Sequence, residues 1–447
     1  MIHLACKKLR HTKPRFSTFV NGYLLSAPPS HKTASNTSNS REPHSLAVFH
    51  LVKSRGLSSK SAVSAELLDS RGITQTHIRN LRTSRAVMPL ADPCKTPKCN
   101  VELFSSLGLS GARFAVVLQK EPEILESPNA KLVVELFANY GFSKEQIASM
   151  VFRVPQIFAY DPQKTLNPKL DFLQSAGFSA LQVVKLLHRD PFILRGSLEN
   201  QILCSVRVLK QIVRTDEIVV KAVMAYPRLL KIGLEKQFVP NVTALISTTG
   251  VPEFNVVKMI QFGSMSLCHS TEKFSKIVRD VTELGFDPTT LMFLLAVHSF
   301  VLQKESLLEQ KIQVFSSFGL SRNEFFKAFR LQPMFSWTSV KKLREVIDFF
   351  VSKLHFEPSN IPKHPGLFLH SLEKRIIPRC STLNILISKD LVKRDICLVY
   401  LFKLPEKTFV KNFVTKHQQT VPEVVEAHRG EIEFQGFDID QKALAIH

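Results

Sequence analysis

Five basic residues of this chain share one address. Lys120, Arg153, Arg189, Lys363 and Lys403 each stand two residues before a proline: Pro122, Pro155, Pro191, Pro365 and Pro405. Three more basic residues, Lys98, Lys169 and Arg379, each follow a proline directly, and so does Arg228 after Pro227. Cations at a repeating position are suited to one kind of chemistry, contact with the phosphates of a nucleic acid. Such contacts supply affinity and register but no sequence reading. A second explanation needs no ligand. Lys or Arg in the last turn of a helix interacts with the helix dipole, a gain of about 0.3–1 kcal/mol.

The remaining residues offer no catalytic chemistry. There is no GxxxxGK[ST] phosphate loop, no HExxH and no GxSxG elbow. The seven cysteines are scattered, and Cys94 and Cys99 alone lie close together, at a spacing poor for zinc. Cys268-His269 reads as a core edge. Free thiols in a reducing compartment, no metal, no cofactor and no enzymatic activity are the expectation. Charge points elsewhere. Lys and Arg number 59 against 38 Asp and Glu, a formal net charge of +21. Residues 1–50 hold seven basic and one acidic residue, so the body keeps a surplus of 15. A polyanionic partner suits that balance. The 34 Phe against five Tyr and one Trp suit a core better than exposed stacking platforms. That favours duplex or structured nucleic acid over a bare single strand.

What would hold the cations in a row is a repeat. Positions equivalent to Pro155 fall at Pro122, Pro191, Pro227, Gly263, His298, Pro333, Pro365 and Pro405, in steps of 32 to 40 residues. Four residues earlier, all nine units carry an apolar residue, from Leu118 and Val151 to Ile361 and Leu401. Two residues later, all but the last do. Units open on "GLS" or "GFS" at Gly108, Gly141, Gly177 and Gly319. Glycine suits the left-handed residue that ends a helix, and Ser is a good N-cap for the next. Ser143 with Gln146, Ser179 with Gln182, and Ser321 with Glu324 read as capping boxes, and Ser110 as a further cap. Asp287-Pro288 reads as another start. The first helix then runs about three turns to the proline that stops it. A short 3₁₀ segment follows, then a second helix, with Asn167 as cap and Pro168 in its first turn.

Such a unit cannot bury both faces alone, so neighbours must stack. The expected fold is all-α, a superhelical α-solenoid of roughly 35-residue helix–turn(3₁₀)–helix repeats. Residues 1–50 read as an organellar transit peptide or disordered segment. Residues 51–99 read as a linker with a possible degenerate first repeat, 100–430 as the array, and 431–447 as an acidic C-terminal tail. No apolar run is long enough to span a bilayer; "LMFLLAVHSFVL" stops at 12 residues.

The units, best seen in "GFSKEQIASMVFRVPQIFAYDPQKTLNPKLDFLQSAGFS" and the closing "LPEKTFVKNFVTKHQQTVPEVVEAHRG", resemble repeats of the mitochondrial transcription termination factor family, especially its plant and algal branch. The resemblance implies a nucleic-acid-binding superhelix in mitochondria or chloroplasts, acting in transcription termination or initiation, intron splicing or ribosome assembly. Its partners would be double-stranded DNA or RNA, with organellar transcription or splicing proteins. The residues that would carry binding are Lys120, Arg153, Arg189, Lys363, Lys403, Lys169, Arg228 and Arg379. Two other classes stay open. One is a pentatricopeptide-like reader of single-stranded RNA, whose repeats lack the mid-repeat proline. The other is a helical-repeat protein-interaction scaffold, which needs no surplus of positive charge.

Residues 1–41 contain seven Lys or Arg and no Asp or Glu. Fused to a fluorescent reporter, about the first 60 residues are expected to direct import into mitochondria. Plastid fluorescence would overturn the choice of organelle, and cytosolic or secretory fluorescence the organellar reading.

Overall fold

The computed structural model describes residues 96–437, apart from 110, 126, 394 and 395. The expectations on residues 1–95, on the Ser110 cap and on 438–447 lie outside the described residues. Within them every regular element is helical. In one complete unit the first helix is Lys144–Arg153, and a 3₁₀ turn Pro155–Ala159 follows. The second helix begins as a wide π turn, Pro162–Leu166, and continues as an α-helix, Asn167–Ser175.

Like stacks on like along the array. First helix Lys144–Arg153 packs between Gly111–Lys120 and Ala180–Arg189, and Glu253–Leu267 packs between Asp216–Ala225 and Leu291–Leu302. The 3₁₀ turns Pro333–Trp337 and Pro365–Leu369 stack, as do second helices Glu305–Ser317 and Val340–Ser352. The apolar slot four residues before each proline fills the space between them. All nine of its residues, Leu118 through Leu401, are at most 2% exposed, so the register read from the sequence is the register of the core.

The punctuation forms as its chemistry dictates. Ser143, Ser179 and Ser321 cap their helices in reciprocal capping boxes with Gln146, Gln182 and Glu324. Gly141 and Gly177 sit at φ +100° and +97°, where a Cβ is strained. Where the unit before Thr215 lacks its glycine, Arg214 itself takes the left-handed conformation, at φ 64°. Two predicted starts move. Asp161, not Asn167, caps the second helix, accepting from the backbone N–H groups of Gln163 and Lys164. Pro168 therefore lies inside a helix. The wide turn before it carries the preceding carbonyls away from the pyrrolidine ring, which an α turn would meet. The same device, Leu372–Ile376, precedes Pro378. Asp287 likewise caps no helix. It accepts from Thr289 within a turn, and Thr290 caps the helix Leu291–Leu302.

The two units without an anchor proline differ in a consistent way. With an N–H restored at the slot, helical structure continues past it, as one helix to Leu302 at His298 and across a kink to Leu267 at Gly263. Met265 and Phe300, two residues past the slot, are then only half-buried, and Leu267 and Val301 enter the core instead. Gly263 and His298 are one packing solution. The backbone at Gly263 leaves the helix, at φ −130° and ψ 23°. A Cβ there would lie 3.0 Å from His298 Nδ1. The buried His298 ring fills that space, with Nδ1 2.7 Å from Ser266 Oγ and Phe262 and Trp337 edge-on at 5.7 and 5.5 Å. Burial pushes its pKa down to about 4, so the ring is neutral at pH 7.

Gly263→Ala is expected to overpack this site and cost about 1–3 kcal/mol. Adding His298→Ala removes the clashing atom, so the double variant should lose less than the two singles together, by about 1 kcal/mol. Urea denaturation of the four proteins measures the coupling; strict additivity would show that the two residues are independent.

Candidate nucleic-acid interface

A helix stopped by proline ends on carbonyls with no intrahelical donor. In an isolated helix water serves them. Here a neighbouring unit is stacked close by, and in three places it supplies the donor itself. The basic slot two residues before the proline supplies it across the repeat boundary. Lys120 Nζ donates to Phe152 O at 2.7 Å. Arg153 donates to His188 O at 2.7 Å and Arg189 O at 3.0 Å. Arg189 in turn donates to Met224 O at 2.6 Å and Ala225 O at 3.0 Å. Each residue clamps the last turn of the following unit's first helix, and the chain of clamps ends where the slot becomes Ala225. The dipole explanation was therefore half right: the helix end these cations serve is their neighbour's as well as their own.

A second ladder crosses the units deeper inside. Lys169 is 5% exposed, and its Nζ donates to Leu194 O at 2.6 Å. Arg379 is 1% exposed and donates to Leu401 O at 2.6 Å and Leu404 O at 2.9 Å. Burial lowers the pKa of both groups, opposed by the charge of Glu199 at Lys169 and by Glu406 at Arg379. Their assignment to phosphate binding is corrected: a buried cation already holding backbone carbonyls presents nothing to a phosphate. Equivalent second-helix positions carry Ser205, which donates to Ile232 O at 3.3 Å, and Asn241, which donates to Leu267 O and His269 O at 3.0 and 2.9 Å. Lys311 does the same to Ser336 O, and burial pushes its pKa down to about 8. In these five units the slot reads Lys, Ser, Asn, Lys and Arg, which share hydrogen-bond donation and not charge, whereas in Thr271–Glu283 and Val340–Ser352 it is aliphatic. That signal was present in the sequence and points to the buried reading.

At the C-terminal end Arg379 is part of a clasp. Its guanidinium bonds Glu406 Oε2 at 2.7 Å and lies over the Phe409 ring, 4.4 Å from the centroid. Glu406 Oε1 meets His428 Nε2 at 2.8 Å. Burial alone would raise the Glu406 carboxyl, but Arg379 and His428 outweigh it and hold the pKa low.

The other predicted residues are placed differently. Arg228 is exposed beside His269, whose pKa is lowered by burial and by the charges of Lys273 and Arg228. Lys363 is exposed and bonded within its own unit, to Asn360 Oδ1 at 2.7 Å. Lys403 is exposed and its ammonium makes no hydrogen bond or ion pair among the described residues. The five slot residues thus do not form one uniform row. Lys98 has no described side chain. No single described helix is long and apolar enough to cross a membrane, and Leu291–Leu302 is a core helix with Phe293, Leu294 and Val297 fully buried.

Proline-stopped helix pairs stacked in register, their open carbonyls clamped from one unit to the next, define a helical-repeat protein of the stacked-array class. The mTERF family model matches residues 42–176, 170–335 and 297–410. The chain belongs to the mTERF family. It is 20% identical over 329 residues to the mitochondrial transcription termination factor MTERF15 of Arabidopsis thaliana, covering 73% of this chain and 57% of that protein. To the chloroplastic transcription termination factor MTERF8 of the same plant it is 21% identical over 229 residues, 51% of this chain and 45% of that protein. The chain thus spans about half the length of the curated relatives it matches.

Arg153→Gln and Arg189→Gln are expected to lower stability by about 0.5–1.5 kcal/mol for each hydrogen bond lost. Arg379→Ala should cost more, about 1–3 kcal/mol for each buried carbonyl it strands. Chemical denaturation followed by circular dichroism tests the order. An Arg153→Gln variant that melts normally and loses only nucleic-acid affinity would return that residue to the binding surface.

Proposed function

We propose that this protein binds nucleic acid and regulates gene expression in an organelle, the mitochondrion by our reading of its basic, acid-free N-terminus. Transcription termination or initiation is the favoured process, with intron splicing the next. The observation that carries the proposal is a surplus of positive charge that the fold does not consume. The body of the chain holds 15 more basic than acidic residues. The two ladders commit some of those cations to backbone carbonyls, and surface ion pairs occupy others, such as Lys221 with Glu217 and Arg322 with Glu309. Many remain exposed and unpaired. A self-repelling surface of this kind is a cost to folding that a polyanion removes.

Family membership supports the same reading, as do the names of the two relatives, both transcription termination factors, one mitochondrial and one chloroplastic. The chloroplast is therefore the alternative address. A non-enzymatic role follows from the absence of a catalytic constellation in the sequence and from the family. Of the residues named from the sequence, Lys403, Lys363 and Arg228 are exposed, which supports proposing them for phosphate contact. The scaffold reading accounts for the stacking but not for the charge.

The test is retention on duplex DNA and on structured RNA over a salt series. Binding whose log Kobs falls linearly with log salt, by several units per decade, is the expected result. Salt-insensitive binding, or none, would remove the proposal and favour a protein-binding scaffold. Crosslinking in purified organelles, with sequencing of the bound strands, then identifies the target.

A further inference from the structure

A second set of basic residues recurs in the array, and neither ladder uses it. At the third residue of second helices stand Lys164, Lys273, Lys342 and Lys374, with Lys236 closing a short 3₁₀ turn at the corresponding place; Leu132, Asn200 and Leu307 interrupt the set. Lys164, Lys236, Lys273 and Lys374 are exposed and Lys342 is half-buried. Among the described residues none of the five ammonium groups makes a hydrogen bond or an ion pair.

Local helix chemistry does not explain them. The third residue faces the positive end of the helix, where acidic and amide side chains are favoured and cations are not. The first helices with capping boxes obey that rule, with Gln146, Gln182 and Glu324 at the same position. The second helices break it. Their caps do not need the lysine side chain either. Asp161, Ser339 and Ser371 accept the backbone N–H groups of Lys164, Lys342 and Lys374, and each ammonium is left to project. Lys164, Lys273 and Lys374, exposed, unpartnered and set against their own helix dipoles, are accounted for by an anion outside the protein.

We infer that this row of second-helix lysines is a contact surface for a phosphodiester backbone, with one lysine per unit on one phosphate. The inference rests on the nucleic-acid reading above and assigns residues to it. Packed helices lie about 8–10 Å apart, and successive nucleotides of a duplex strand rise about 3.4 Å. Each unit then advances by about three nucleotides. Where the slot reads Leu132, Asn200 or Leu307 the contact is missing, so the row grips the strand in separated stretches. It reads no sequence, because phosphate contacts carry none.

The test compares two variants of the full chain. One is Lys164→Gln, Lys236→Gln, Lys273→Gln and Lys374→Gln combined. The other removes the same charge from exposed lysines outside the row, at Lys144, Lys185, Lys327 and Lys411. On duplex DNA the row variant is expected to flatten the slope of log Kobs against log salt by about 3–4 units, and on single-stranded RNA by about 3. Whichever ligand shows the larger absolute slope with the unaltered protein is the backbone the row tracks. The control should change the slope by less than about 1 unit. The melting temperature of the row variant should stay level or rise, since glutamine relieves the conflict with the dipole. Equal effects of the two variants would sink the row and leave only net charge. An early-melting row variant would assign the lysines to the fold. If the unaltered protein fails to bind, it is the functional proposal that fails, before the row is tested.

Discussion

A carbonyl group left open at the end of a proline-stopped helix is the constraint on which this structure turns. The proline has no N–H and cannot continue the helix, so the last turn keeps acceptors without an intrahelical donor. A donor can reach them from the preceding unit. Lys120, Arg153 and Arg189 do so at the edge and Arg379 inside, while Asn100, Lys169 and Lys311 reach carbonyls of the 3₁₀ turn that follows the proline, and Asn241 reaches Leu267 O in a unit without one. Each bond joins residues between 22 and 36 positions apart. The interval that looks in the sequence like a proline clock is, in the fold, the reach of one unit to the open end of the next.

This explains what was legible and what was not. The nine buried residues of the apolar slot, the capping boxes and the left-handed glycines were readable because each is decided locally, by period, cap or backbone sterics. The class of fold followed from iterating them. The donors were not readable as donors, because a basic residue looks the same in sequence whether it faces a phosphate or a neighbour's carbonyl. Lys169 and Arg379 sit just after prolines, which suggested an exposed helix start. The actual start lies earlier, at Asp161 and Ser371, and the intervening π turn carries both residues into the interior. One misplaced cap therefore turned two core residues into candidate ligands. The second-helix lysines were missed for the same reason, since their position is defined only once the true cap is known.

The units that lost the proline show the constraint from the other side. At Gly263 and His298 an N–H returns, helical structure continues past the slot, with a kink at Gly263, and different residues take the core positions. The interior is held there by a different polar set. His298 meets Ser266, and Trp337 donates through Nε1 to Ser299 Oγ at 2.8 Å. The arginine clamps have already stopped at Ala225, just before this region. The array thus changes its method of stacking partway along without leaving its register.

Charge in this protein falls into two kinds, and they answer to different forces. A clamp cation is fixed by a carbonyl about 3 Å away, and a nearby phosphate would have to replace bonds already made. An exposed second-helix lysine has no such bond to lose, and it gains by neutralising a position its own helix disfavours. Ligand binding should therefore draw on the second kind and leave the first in place. The same alternation of helix and proline that creates the open carbonyls also sets the interval at which unspent charge recurs at the surface.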